Sequence, residues 1–302
     1  MQLESDSTMV RASREGQNPG CEHSAASAGG GSGFRGLLEH RRYYLHLLGT
    51  VPYGIFRRLT RKTAKSYGIL VPYVAGMRGL EIGGPSPFFR KHGLIPVYNL
   101  CQSIDSCNFS DQTIWTAAGD FGRFGAPVRS RHVAEASDLS PIPDASYDFV
   151  LASHVLEHIA NPLRALREWS RVLKPGGALV VIVPDKRNTS DHKRPYTSFD
   201  HLEQDFRANT TEDDLSHLPE VMALHDVSLE HPGVSWPRFE DRCRNNFRVR
   251  GMHHHVFSAD TLTRALTHAR MRVMSVSIER PIHIVAFAQR SAVAEAREVP
   301  IG

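Results

Sequence analysis

The sequence predicts an α/β protein: a doubly wound, mostly parallel sheet with a C-terminal antiparallel hairpin and an inserted lid. Three observations lead there. From Arg78 onward short apolar runs alternate with helical stretches, two alternating apolar runs close the chain, and a histidine-rich, strand-poor stretch interrupts the alternation. GLEIG at Gly79–Gly83 reads as the first strand, IPVYNL at Ile95–Leu100 as the second and RHVAEAS at Arg131–Ser137 as the third. YDFVLAS at Tyr147–Ser153 is the fourth and ALVVIVP at Ala178–Pro184 the fifth. Between those two, Leu163, Leu166, Trp169 and Val172 recur at helical spacing, and LKPGG at Leu173–Gly177 supplies the Pro and Gly that end a helix. Ser258 can cap a helix running to about Ala269, after which MRVMSVSIE and IHIVAFAQ form the hairpin and bring the strand count to seven.

The remaining segments have other characters. Residues 1–33 end in SAASAGGGSG and hold few periodic apolar residues, so they read as a disordered tail, and residues 291–302 form a tail at the other end. Residues 34–78 carry 9 basic and 1 acidic side chains interleaved with Leu, Tyr, Ile and Phe, a pattern for two basic amphipathic helices broken near Pro52. Such a segment either lies on anionic lipid, as a peripheral membrane contact, or on nucleic acid, or packs on the domain edge with its arginines in water. The core is expected over 79–184 and again over 257–290, with 185–256 as the inserted substrate lid holding 8 of the 17 histidines and 13 acidic residues. Residues 101–130 look like an irregular excursion around Gly119, Gly122 and Gly125.

The composition, 41% apolar and 23% charged with a mean hydropathy of −0.32, gives enough apolar mass for a sizeable core. No run of 18 apolar residues and no secretory leader pattern is visible, so a cytoplasmic protein is expected. Cys21, Cys101, Cys107 and Cys243 are scattered without a CxxC pair and read as free thiols.

The chemistry begins at LEIGGPSPFF, Leu80–Phe89, where a strand turns into a Gly/Pro-rich loop that lets backbone approach a ligand, followed by an expected helix N-terminus. A dinucleotide fingerprint would need glycines where Pro85 and Phe88 stand, and no GxxxxGK[ST] occurs. The loop resembles the first motif of the class I S-adenosylmethionine-dependent methyltransferases, with Pro85 in place of its central glycine. The stretch ASDLSPIPDASYDFVLASHVLEHIANPLRALREWSRVLKPGGALVVIVPD, Ala136–Asp185, resembles the same family almost continuously and points to its type 11 group. The resemblance implies a Rossmann-like fold and S-adenosyl-L-methionine as cofactor. It places Glu81, Gly83 and Gly84 at the amino-acid end of that cofactor, Asp105 (or alternatively Asn99) at the ribose, and Asp138 with Leu139 at the adenine.

His154, just past the fourth strand, is the expected catalytic residue, a base or cofactor contact; otherwise it closes the pocket floor. His158, one helical turn on, reads as structural. The lid should hold the acceptor, with Asp185, His192 and His255 as substrate-binding residues beside Asp191 and Arg194. If His253–His255 is extended, His253 and His255 share a face and His254 points away. These histidines serve polar packing, proton abstraction, or a metal with His217, His225 or Asp226. HLPEVMALHD spaces its pair eight apart, unlike the zincin pattern, and no metal site is assigned. The expected function is methyl transfer to O or N of a small polar or glycan-like acceptor. SHVLEH stands where amino-directed nucleic-acid methyltransferases carry a D/N-PP-aromatic motif, so no nucleic-acid partner is expected. The alternative is a non-catalytic module of this fold that uses its basic N-terminal helices on a membrane or partner.

Overall fold

The computed structural model describes residues 62–113, 124–231 and 233–292. The tail at 1–33, most of the basic segment, the glycines Gly119 and Gly122, and the chain after Ala292 lie outside them.

Helix α1 (Tyr67–Val74) leads into β1 (Arg78–Ile82), β2 (Ser103–Asn108), β3 (Val128–Val133) and β4 (Tyr147–Ser153). Then come α2 (Pro162–Val172), β5 (Leu173–Pro184), α3 (Phe199–Ala208), α4 (Leu218–Leu224), α5 (Trp236–Arg244) and α6 (Asn246–Val249). Helix α7 (Ala259–His268) and the antiparallel pair β6 (Met271–Glu279) and β7 (His283–Arg290) complete the chain. The seven strands stand in the order β3-β2-β1-β4-β5-β7-β6, parallel from β3 to β5 and antiparallel beyond. The predicted fold class is the observed one.

Alternation along the central strands builds two cores. From β4 and β5, Val150, Ala152, Leu179, Val181 and Val183 pack with Leu163, Leu166 and Trp169 of α2 and Leu262 and Leu266 of α7. Their neighbours Phe149, Leu151, Val180 and Ile182 face Leu70 and Val74 of α1 and the loop residues Phe89, Ile95 and Val97. Ser258 caps α7 through Thr261 N, as its sequence position suggested.

Two strands and one helix end differ from expectation. Ile95–Leu100 is a turn-rich loop interrupted by Pro96; its apolar side chains cover one sheet face instead of adding a strand. The place beside β1 is taken by SIDSCN, which has no apolar run to announce it but is buried along Ile104–Cys107. The third strand starts earlier than expected and stops at Val133, whose partner Asn108 is the last paired residue of β2, so Ala134–Ala136 leave the sheet. Helix α2 ends at Val172, and LKPGG opens β5. A Cβ on Gly177 would stand 2.9 Å from the Asp148 carbonyl, which is why the chain needs glycine there.

Asp105 lies in mid-β2 with its side chain fully buried. Its carboxylate accepts from Arg78 Nη2 at 2.6 Å, Arg129 Nη2 at 3.2 Å and Tyr147 Oη at 2.9 Å. Burial opposes ionisation, but these donors hold its carboxyl well below the usual aspartate value. A carboxyl with a lowered folded pKa contributes stability above about pH 4, and that contribution is lost as the pH falls through the folded value. Asp105→Asn, which breaks a buried ion-pair network, is expected to cost about 3 kcal/mol and to flatten the acid limb of stability against pH. Urea denaturation at neutral and acid pH measures both.

Candidate functional site

At the C-terminal edge of the parallel strands the β1–, β2– and β4–following turns enclose a cavity of about 640 Å3, within the range of small-molecule sites. Gly83, Phe88, Asn108, His154 and Glu157 line it, together with His253 from the insertion. A narrower cleft of about 60 Å3 continues from it, sharing Gly83, Asn108, Val155 and Arg250 and ending at Glu135 and Ala136.

The glycine loop is shaped by backbone need. Gly83 has φ +73°, donates to Cys107 O at 2.8 Å, and has Val155 so near that a Cβ would lie 2.4 Å from Val155 Cγ2. The buried Glu81 carboxylate accepts from Ser86 N at 2.9 Å and Tyr98 Oη at 2.9 Å, tying the loop back onto the strand. A Cβ on Gly84 would meet Glu81 Cδ at 2.1 Å, so Gly84 is required by this lock. No helix follows the loop: Ser86–Leu94 is a series of turns, because its apolar residues are drawn down onto the sheet.

Burial pushes the Glu81 carboxyl up to about 8, against the pull of its hydrogen bonds. With the folded pKa above the unfolded one, its contribution is fully present below about pH 4 and is lost as the pH rises toward about 8. Glu81→Gln is therefore expected to gain stability relative to the wild type between pH 6 and pH 8.5. Paired denaturation curves at those two pH values check this, and a constant difference contradicts it.

The rest of the predicted cofactor set falls differently. Asp105 lines neither cavity, its carboxylate being spent on Arg78, Arg129 and Tyr147. Asn99 is exposed in a turn. The residue at the C-terminal end of β2 is Asn108, which lines both hollows and donates Nδ2 to Gly84 O at 3.1 Å. Asp138 is exposed beside Arg164, on an outer depression, and Leu139 N donates to Glu168 Oε2 at 2.9 Å. The chain reaches the cleft three residues earlier, at Glu135 and Ala136, because β3 ends at Val133. Glu135 accepts from Arg250, a buried guanidinium that also faces the Phe109 ring at 5.1 Å.

His154 lines the large cavity with φ +54°. Its Nδ1 is 3.3 Å from Glu157 Oε1, its Nε2 is 3.1 Å from His283 Nδ1, and its ring stacks on Phe88 at 5.3 Å. Burial opposes ionisation of Glu157, yet the surrounding His154, His158 and His253 hold its carboxyl below the ordinary value. His158, expected to be structural, also lines the cavity; its Nδ1 meets Met252 O at 3.1 Å, and burial lowers its pKa to about 4. His253 is raised despite burial, because its Nδ1 meets Asp191 Oδ2. Asp191 is further held by Arg194 Nη1 at 3.1 Å and His225 Nδ1 at 3.3 Å, so Asp191 and Arg194 brace the wall from behind.

None of the three expected substrate residues lines either cavity. Asp185 caps the turn Lys186–Asn188 and pairs with Arg187. His192 bonds back to Thr189 O at 3.1 Å, and buried His255 sits 3.3 Å from Ala160 O. The triple histidine does not alternate: His254 and His255 both pack on His217, at ring separations of 5.5 Å and 5.1 Å. His253 alone of the three reaches the cavity, and the insertion's other contributions are Glu230 and Arg250. Nothing in the sequence marked these two; the run SHVLEH did carry Glu157.

Residues 96–181 match the family model described as a methyltransferase domain, a stretch that includes Asn108, Glu135, His154 and Glu157 and leaves out Gly83. The chain is 34% identical over 85 residues to a sterol 4-C-methyltransferase of Caenorhabditis elegans, covering 28% of this chain and 25% of that protein. It is 31% identical over 107 residues to a ubiquinone biosynthesis O-methyltransferase of Maricaulis maris, covering 35% and 39%. The chain thus spans well under half the length of these curated relatives. Among solved structures, an S-adenosylmethionine-dependent methyltransferase from Aquifex aeolicus aligns over 74% of this chain and 89% of its own, at 14% identity and TM-score 0.39.

Proposed function

With residues 96–181 matching a methyltransferase-domain family model, we propose that the chain is a class I S-adenosylmethionine-dependent methyltransferase of the type 11 group acting on O or N of a small polar or glycan-like acceptor. The observation that carries this reading is the continuous hollow at the strand ends, with Gly83, Asn108, Glu135 and His154 along it. These residues fit the cofactor. The narrow cleft ends on a carboxylate suited to accept from an amino or hydroxyl group, Asn108 Oδ1 is an acceptor at mid-length, and Gly83 leaves backbone exposed at the wide end. S-adenosyl-L-methionine, when bound, supplies an electrophilic methyl group on a sulfonium sulfur.

The chain's own residues then align and deprotonate. With the methyl donor held along Gly83, Asn108 and Glu135, His154 Nε2 would take the acceptor's proton in exchange for its contact with His283. Glu157 at Nδ1 stabilises the resulting imidazolium. A polar acceptor suits the wall of Glu157, His253, Glu230 and Arg250, opposite the apolar Pro85, Pro87 and Phe88. No described helix is long and apolar enough to cross a membrane. The test is calorimetric titration with S-adenosylmethionine and its demethylated product, followed by a labelled-methyl screen of polar metabolites and sugars. Absence of binding to either compound overturns the proposal.

A further inference from the structure

Helix α3 carries His201 and Asp205 four residues apart, so both side chains stand on one face of it. Against that face the chain brings His217, which precedes α4, and His255 from the triple histidine. One ligand-type atom from each of the four lies within 4.8 Å of the others. His201 Nε2 is 2.8 Å from His217 Nε2 and 3.4 Å from Asp205 Oδ2, and His255 Nε2 is 3.7 Å from that same oxygen. A tetrahedral cation bound at zinc–nitrogen lengths sets its ligand atoms roughly 3.3 Å apart, within this spread.

A second observation points to a missing positive centre. Asp205 is 8% exposed and its Oδ2, the oxygen facing His201 and His255, accepts no hydrogen bond. A buried acceptor left unsatisfied loses its hydration with nothing in exchange. The surroundings are those of ligands held from behind. Asp214 Oδ2 lies 3.6 Å from His217 Nδ1, leaving Nε2 as that ring's inward nitrogen. None of the four residues lines the cavities of the candidate active site.

We propose that His201, Asp205, His217 and His255 form a structural site for a divalent transition metal of the zinc type. Three imidazoles and one carboxylate complete a closed four-coordinate shell, which favours zinc over oxygen-seeking magnesium or calcium. The cation ties the insertion to the core, since His255 N donates to Glu157 O at 3.2 Å. It thereby stiffens the turn that carries Glu157 and His158.

The experiment uses the full chain, stripped with chelator and reloaded with zinc or cobalt(II). Expected are one metal per chain by mass spectrometry, the intense visible bands of tetrahedral cobalt, and a higher unfolding temperature with metal than without. His217→Ala and the more exposed His201→Ala should lose the metal and the bands, while Glu157→Gln, in the separate Glu157, His158 and His253 group, should keep them. If His217→Ala fails to fold, His201→Ala decides. No retained metal, or a metal lost from Glu157→Gln and kept by both histidine variants, overturns the proposal.

Discussion

Gly83→Val is expected to weaken S-adenosylmethionine binding about 100-fold while the protein stays folded. Valine would be held at φ +73°, a strain of about 1–2 kcal/mol, and its Cβ would sit 2.4 Å from Val155 Cγ2. Overpacking of this kind costs a further ~1–3 kcal/mol unless something moves. Two things can move: the loop after β1, or the turn after β4 that carries Val155 and His154. Both line the cavity, so relief of the clash deforms the site itself. About 2.7 kcal/mol lost from binding corresponds to that 100-fold change. Calorimetry alongside thermal unfolding separates the two effects, and a variant that binds as the wild type does removes the loop from the site.

His154→Ala is expected to lower kcat about 100- to 10,000-fold on the acceptor found by the screen, with cofactor affinity little changed. The expectation rests on the arrangement Glu157–His154–His283, with a carboxylate 3.3 Å from Nδ1 and an exchangeable contact 3.1 Å from Nε2, which suits the ring to the base role proposed above. Glu157→Gln should lose a large part of the same rate, since the carboxylate 3.3 Å from Nδ1 orients the ring. A His154→Ala enzyme with nearly full kcat would reduce His154 to packing against Phe88 at the pocket floor.

Much of the fold was legible because strand and helix periods report which side chains must leave water. YDFVLAS, the Leu163–Val172 stripe and the two closing runs each became the element expected, with the boundaries of β4 unchanged. SIDSCN was missed because its stability comes from a partnership rather than a pattern. Asp105 is tolerated in mid-sheet only because Arg78, Arg129 and Tyr147, far away in sequence, converge on it. Taking IPVYNL for that strand put Asp105 beyond a strand end, where it looked like a ligand residue. Its true position hands that place to Asn108.

The same logic divides the site. The sequence by itself determined that a glycine turn after one strand and a histidine after another would meet at one sheet edge, because parallel strands in this order bring those ends together. Which acidic residue faces the cleft depended on where β3 stops, and that is set by its pairing with β2. Arg250, His253 and Glu230 reach the cavity only through the path of the insertion, which has no period to read. The HLEQD spacing of His201 and Asp205 was present in the sequence, yet a helix face becomes a four-ligand cluster only when His217 and His255 arrive from elsewhere. Local periodicity is written in neighbouring residues, whereas convergence of distant polar groups is decided by packing, and the cost of burying them unpaired fixes which ones meet.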